Sequence, residues 1–116
     1  MQHKQIIDKF TREVLLKYGG SVQAIMLFGS AARDEAAEES DIDLLVIEEG
    51  DRLKMRRNLA SIVSELLLST GKYVSVKTLS VNDFRYNVQL NSPFINNILK
   101  EGVMLYKNDR FKLGAH

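Results

Sequence analysis

Apolar residues recur at helical spacing in two long stretches of the chain. Between Lys4 and Tyr18 they fall three and four positions apart, and Gly19-Gly20 ends the pattern as a glycine C-cap would. A second stretch of the same period runs from about Arg52 to Ser69 and stops just before Gly71. Each stretch predicts an amphipathic helix with one buried face.

Short segments rich in strand-forming residues alternate with these helices. They predict four strands, at Val22 to Phe28, Ile42 to Ile47, Tyr73 to Leu79 and Val103 to Tyr106. Shorter helices are expected at Ala31 to Ala37, at Val81 to Val88, where the pattern is ambiguous, and from Ser92-Pro93 to a stop at Gly102. This order predicts an α/β (α+β) fold, a small mixed sheet with helices mainly on one face.

Composition narrows the class of protein. The 116 residues predict one domain over residues 1–107, followed by a loosely ordered tail at 108–116. The absence of cysteine excludes disulfides, thiolate zinc sites and cysteine nucleophiles. No apolar run approaches the roughly 20 residues of a membrane span. The polar start at Met1 to Gln5 is unlike a signal peptide, so a cytoplasmic protein with no membrane partner is expected.

Two short segments carry candidate chemistry. Gly29-Ser30 breaks the first strand before a helix start, where glycine lets a ligand approach the backbone, free amides attract an anion, and a serine hydroxyl can donate to a phosphate. After ten intervening residues beyond Ser30, Asp41 and Asp43 open the next strand, and residues two apart share a face of a strand. Two carboxylates held together repel each other, and a divalent cation relieves that repulsion. The sequence therefore predicts a metal–phosphate site.

Each candidate also has a plainer interpretation. Gly29-Ser30 by itself is typical of an ordinary turn, and the two aspartates could face solvent or pair with lysines. Arg33, one helical turn beyond Ser30, fits phosphate binding and a structural ion pair equally well. The spacing of the turn and the aspartates favours the metal–phosphate interpretation.

The pattern Phe28-Gly29-Ser30-x-Ala32-Arg33 through Ser40-Asp41-Ile42-Asp43 resembles the DNA polymerase beta superfamily of nucleotidyltransferases, in particular the minimal nucleotidyltransferase domains. The resemblance extends through Phe94 to Tyr106 and covers about Ile6 to Lys107. It implies the polymerase beta-like fold, catalytic and metal-binding roles for Asp41 and Asp43 with Mg²⁺, and a nucleoside triphosphate, ATP, bound by Gly29, Ser30 and Arg33.

The resemblance also implies a function and a partner. Transfer of AMP to a hydroxyl of a partner macromolecule is expected, as in antitoxins that adenylylate a HEPN-type toxin. Near-neutral charge, +1, and the lack of a basic, aromatic-laced surface argue against a nucleic-acid substrate. Homo-oligomerisation is left open.

Many relatives supply a third carboxylate from the strand after the second long helix, and this chain departs from that pattern. Ser75 aligns with the acid, and Lys77 on the same face is placed to contact a phosphate or to neutralise an aspartate. Asp83, Glu48 and Glu49 are candidates to take the place of that acid. An alternative hypothesis follows, in which the domain neutralises its partner by binding alone.

Overall fold

Our computed structural model describes residues 2–33 and 41–112. The helices are α1 (Gln2–Tyr18), α2 (Gly29–Ala32), α3 (Arg52–Thr70), α4 (Val81–Gln89) and α5 (Pro93–Glu101), and a 3₁₀ turn, Gly19–Ser21, follows α1. The strands are β1 (Val22–Phe28), β2 (Ile42–Glu48), β3 (Val74–Ser80) and β4 (Val103–Lys107). Every element predicted from the sequence is present in the described ranges. The short helix starts earlier than expected, at Gly29, and residues 34–37 of the predicted span lie outside the description.

The four strands form one mixed sheet in the order β3-β2-β1-β4. Strand β2 runs antiparallel to β1 and parallel to β3, and β4 runs antiparallel to β1. The long helix α3 makes the crossover between the parallel pair, as such a connection requires. Its ends carry the expected signals, since the Asp51 side chain accepts a hydrogen bond from the Lys54 amide and Gly71 adopts a left-handed φ of 73°.

Helices cover both faces of the sheet. The long helices α1 and α3 pack on one face, over Ile42, Leu44 and Val46 of β2. The short helices α4 and α5 pack on the other, over Leu45 and Ile47. The expectation of helices mainly on one face therefore describes the long pair only. Strand β2 is buried on both sides, which explains its almost unbroken apolar sequence.

The chain after β4 folds back onto the second face. We expected residues 108–116 to be loosely ordered, but Phe111 is buried and its ring centroid lies 5.3 Å from that of Phe84. The Asn108 amide donates to the Gln23 carbonyl, which fixes the start of this segment. Residues 113–116 lie outside the described ranges. None of the helices in the described part of the chain is long and apolar enough to cross a membrane.

Candidate active site

The turn between β1 and α2 lies directly against a carboxylate of β2. Antiparallel pairing sets Phe28 opposite Asp43, so the next residue, Gly29, reaches the Asp43 side chain. A Cβ atom added to Gly29 would collide with a carboxylate oxygen of Asp43 and lie 3.2 Å from its Cγ. Gly29 also adopts φ 74°, in the left-handed region. This position therefore requires glycine for two reasons: a side chain would not fit, and the backbone adopts a left-handed conformation.

The turn itself is short and compact. Helix α2 has four residues, and the Arg33 amide closes it by approaching the Gly29 oxygen at 3.4 Å and the Ser30 oxygen at 3.2 Å. A single helical turn has little of the dipole of a long helix. Any phosphate-binding capacity of the turn itself would thus come from the backbone at Gly29 and Ser30 and from the Ser30 hydroxyl.

Asp43 is a carboxylate under electrostatic stress. Burial raises the pKa of its carboxyl group above the ordinary value, and the negative charge of Asp41 raises that pKa further. The ammonium of Lys77 acts in the opposite direction and lowers it. Asp41 is exposed and precedes β2, while Ile42 between the two acids is fully buried on the other face. The two predicted metal ligands therefore interact electrostatically, as a site for a hard divalent cation requires.

Strand β3 supplies the third wall of the site. Its parallel register pairs Asp43 with Ser75 and Leu45 with Lys77, so the serine stands beside the aspartate as the sequence alignment predicted. Over residues 2–33 and 41–112, no group of three or more histidine, cysteine, aspartate or glutamate side chains could hold a metal ion. A third acid does not join Asp41 and Asp43 from the described part of the chain.

The three acids considered as substitutes for the missing carboxylate have other partners or lie elsewhere. Glu48 is fully buried at the opposite end of β2 from Asp43. Glu49 bonds to Gln23 and Arg110. Asp83 on α4 lies 3.5 Å from a guanidinium nitrogen of Arg52. None of the three takes the place of the missing carboxylate.

Helix α5 closes the site from a distant part of the sequence. The Phe94 ring meets Phe28 edge to face, with ring centroids 5.4 Å apart, and so supports the strand end that leads into the Gly29 turn. A guanidinium nitrogen of Arg33 lies 3.6 Å from a carboxylate oxygen of Glu101. The structure thus pairs Arg33 with Glu101, a partner that local sequence did not indicate, and the phosphate contact of Arg33 stays a prediction.

The fit of α5 against β1 depends on Gly102. A Cβ there would lie 2.5 Å from the Ile98 oxygen and 3.2 Å from the Leu27 oxygen. The sequence predicts Gly102 as a helix stop but does not indicate its close approach to β1, the strand that leads into the Gly29 turn. The helix-ending glycine was the only local signal of this packing.

A mixed sheet that sets a glycine-serine turn against the Asp43 carboxylate, with Asp41 two residues before it, is the arrangement expected of a nucleotidyltransferase. The family described as "Polymerase beta, Nucleotidyltransferase" matches residues 5–111. The chain belongs to the polymerase beta nucleotidyltransferase family.

Relatives and solved structures agree with this assignment. The chain is 33% identical over 106 residues to "Putative protein adenylyltransferase MJ0604" of Methanocaldococcus jannaschii, covering 91% of this chain and all of the relative. It is 32% identical over 109 residues to MJ1305 of the same organism, which carries the same description, covering 91% and 73%.

Two crystal structures share the fold at low sequence identity. One, a toxin-antitoxin with AMP-PNP, superposes with a TM-score of 0.56 at 19% identity, over 88% of this chain and 74% of that one. The other, described as a nucleotidyltransferase from Sulfolobus solfataricus, gives a TM-score of 0.53 at 18% identity, over 91% and 81%. These likenesses concern the fold.

Proposed function

We propose that the protein is a magnesium-dependent adenylyltransferase that moves AMP from ATP to a hydroxyl group of a partner protein, and that this partner is a HEPN-type toxin neutralised by the modification. The observation that carries the proposal is the contact between Gly29 and the Asp43 carboxylate. It brings a phosphate-binding turn and a metal-binding carboxylate to one point. The names of the relatives support protein as the acceptor, and the solved toxin-antitoxin with AMP-PNP supports the nucleotide and the kind of partner.

The donor set fits Mg²⁺. Asp41 and Asp43 are hard oxygen donors. The pKa of Asp43 is raised first by burial and then by the negative charge of Asp41, and a divalent cation would offset that repulsion. Mg²⁺ is usually held by one or two carboxylates together with substrate phosphates, so two aspartates suffice for one ion. When bound, the ion would offset the charge of the triphosphate and polarise the α-phosphate.

The protein groups would hold the nucleotide and leave its α-phosphate open to the acceptor. Gly29 lets phosphate oxygens approach the backbone, and Ser30 donates its hydroxyl hydrogen to one of them. In the transfer, a bond forms between the acceptor oxygen and the α-phosphorus while the bond to the β-bridging oxygen breaks. Pyrophosphate leaves and the hydroxyl proton passes to solvent. Catalysis then rests on position and charge neutralisation.

A second candidate function is favoured by one observation. Ser75 stands where a third acid would help to activate the acceptor hydroxyl, and no described residue replaces it. In that case the domain would neutralise its partner by forming a complex, without transfer.

Intact-mass measurement of the partner distinguishes the two functions. The chain is incubated with ATP, Mg²⁺ and a cognate HEPN protein, and the wild type is compared with Asp43→Asn and with the matched control Asp8→Asn. Asp8 is exposed on α1 and pairs only across one helical turn with Lys4, so its loss should change little. We expect an added AMP with the wild type and the control and none with Asp43→Asn. An unmodified partner in a confirmed wild-type complex would favour binding alone.

A further inference from the structure

Strand β3 places a lysine on the sheet face that carries the aspartate. Lys77 pairs with Leu45, and Ser75 with Asp43, in the parallel register. Because alternate residues of a strand share a face, Lys77 and Ser75 lie on the same side as Asp43. Lys77 is exposed, and its four-carbon stem gives the ammonium a wide reach. A mobile positive charge is thus built into the edge of the site.

Counted over residues 2–33 and 41–112, the charges of the site suit one metal ion better than two. Two-metal centres hold their ions about 3.5–4 Å apart and need carboxylates that both ions share. Here Asp41 and Asp43 contribute two negative charges, Ser75 contributes none, and the Lys77 ammonium offsets part of the total. Over the described residues there is no third donor of the kind that would complete a second ion's coordination.

We propose that Lys77 is a nucleotide-binding residue whose ammonium takes the place of a second metal ion. It contacts the triphosphate from the Asp43 face, and the site retains a single divalent ion between Asp41, Asp43 and the nucleotide. The inference rests on the proposed function, since it requires a nucleoside triphosphate in this site. Lysine binds phosphate as a point charge and needs no fixed geometry, which fits an exposed side chain on an edge strand.

Ion binding should then depend on the nucleotide. An ammonium near two carboxylates weakens their attraction for a free cation. The triphosphate, in contrast, brings further negative charge and further oxygen ligands. We expect weak retention of a divalent ion by the chain alone and strong retention once the nucleotide is present.

Equilibrium dialysis with Mn²⁺ and AMP-PNP measures both quantities on the full chain. At saturating AMP-PNP the wild type should retain one Mn²⁺ per chain. Ser75→Asp should retain a second ion, because it restores a carboxylate beside Asp43. Lys77→Met should lower the affinity for AMP-PNP on the order of tenfold, the usual effect of losing one charged hydrogen bond. Ser61→Asp and Lys9→Met make the same charge changes at exposed positions of α3 and α1, behind the sheet.

The outcomes separate this inference from the proposed function. Two ions retained by the wild type would overturn the inference, as would an AMP-PNP affinity of Lys77→Met equal to that of Lys9→Met. Either result together with an adenylylated partner leaves the transfer reaction standing. Conversely, one retained ion and a weakened Lys77→Met variant, with an unmodified partner, would support the role of Lys77 and contradict the transfer. Failure of the wild type to bind AMP-PNP would contradict the inference directly.

Discussion

Replacing Gly29 with alanine tests whether the turn and the carboxylate form one site. The substitution has two separate costs in the structure. The backbone at φ 74° disfavours any side chain, and the new Cβ collides with the Asp43 carboxylate. Only the second cost touches the proposed site, so the two must be measured separately.

The chain offers a matched control for the backbone cost. Gly71, at the end of α3, has φ 73°, and an added Cβ there meets nothing within 4 Å. A left-handed alanine costs roughly 1–2 kcal/mol, less about 0.4–1 kcal/mol recovered because the unfolded chain is stiffer. Gly71→Ala should therefore lower the free energy of unfolding by about 1 kcal/mol, or the Tm by about 4 °C.

Gly29→Ala adds the displacement of Asp43. The colliding atom is the far end of a side chain, which can rotate away at about 0.5–1.5 kcal/mol. The total loss of stability should thus be about 2 kcal/mol, and most of the chain remains folded. The carboxylate, however, leaves its position, and a shift of about 1 Å can cost a factor of about 100 in rate.

Urea unfolding and AMP-PNP binding with Mn²⁺ decide the matter. We expect Gly71→Ala to bind like the wild type and Gly29→Ala to lose ion-dependent binding. Equal binding by both variants would refute the argument that Gly29 and Asp43 form one site. A Gly29→Ala chain that fails to fold would refute the magnitude worked out above.

Three further predictions concern the stressed carboxylates. Asp43→Asn should raise the free energy of unfolding without metal, since burial and the charge of Asp41 both disfavour the ionised carboxyl in the folded chain; a higher Tm than that of Asp8→Asn in a thermal melt checks this, and a lower Tm contradicts it. Glu48 is fully buried, neither of its carboxylate oxygens has a hydrogen-bond partner in the described structure, and burial raises its pKa. Glu48→Leu should therefore stabilise the chain by about 1–3 kcal/mol in urea unfolding, and an unchanged midpoint would contradict this. The pKa values of Asp43 and Glu48 are both raised on folding, so between the ordinary and the raised values the native chain binds more protons than the unfolded chain, and these carboxyls contribute less stability as pH rises through that window. The double variant Asp43→Asn/Glu48→Leu lacks both groups. Its Tm should therefore exceed that of the wild type by a margin that widens from acid to neutral pH.

Local sequence signals predicted most element boundaries and the approach of the Gly29 turn to Asp43. Strand β1 was predicted with both ends where the structure has them, because Gly20 and Gly29 lie close to the two ends of a run that is apolar apart from Gln23. The Ser75 position followed from counting along a strand, since a side-chain period of two leaves few alternatives. These features depend on near neighbours in the chain, which is why sequence alone sufficed.

The features that sequence did not predict depend on which faces meet. An amphipathic helix shows that one side of the helix is buried but not against which face of the sheet. The position of α4 and α5 on the second face was therefore not predicted. The pairing of Arg33 with Glu101 joins residues that are far apart in the sequence. Phe111 lies in a polar stretch that has no period, and its burial depends on packing against Phe84 of α4, which local sequence does not reveal.

The stress on Asp43 bears on the choice between transfer and binding alone. A carboxylate whose pKa is raised by burial and by a neighbouring aspartate destabilises the empty fold at neutral pH. A ligand that binds only the native state returns that free energy, and a divalent ion with a triphosphate would do so at this position. A partner that docks away from Asp43 does not return that free energy. A binding-only domain that keeps Asp43 in this state is therefore expected to engage it with a cation, and it would differ from the enzyme in whether an acceptor hydroxyl reaches the α-phosphate.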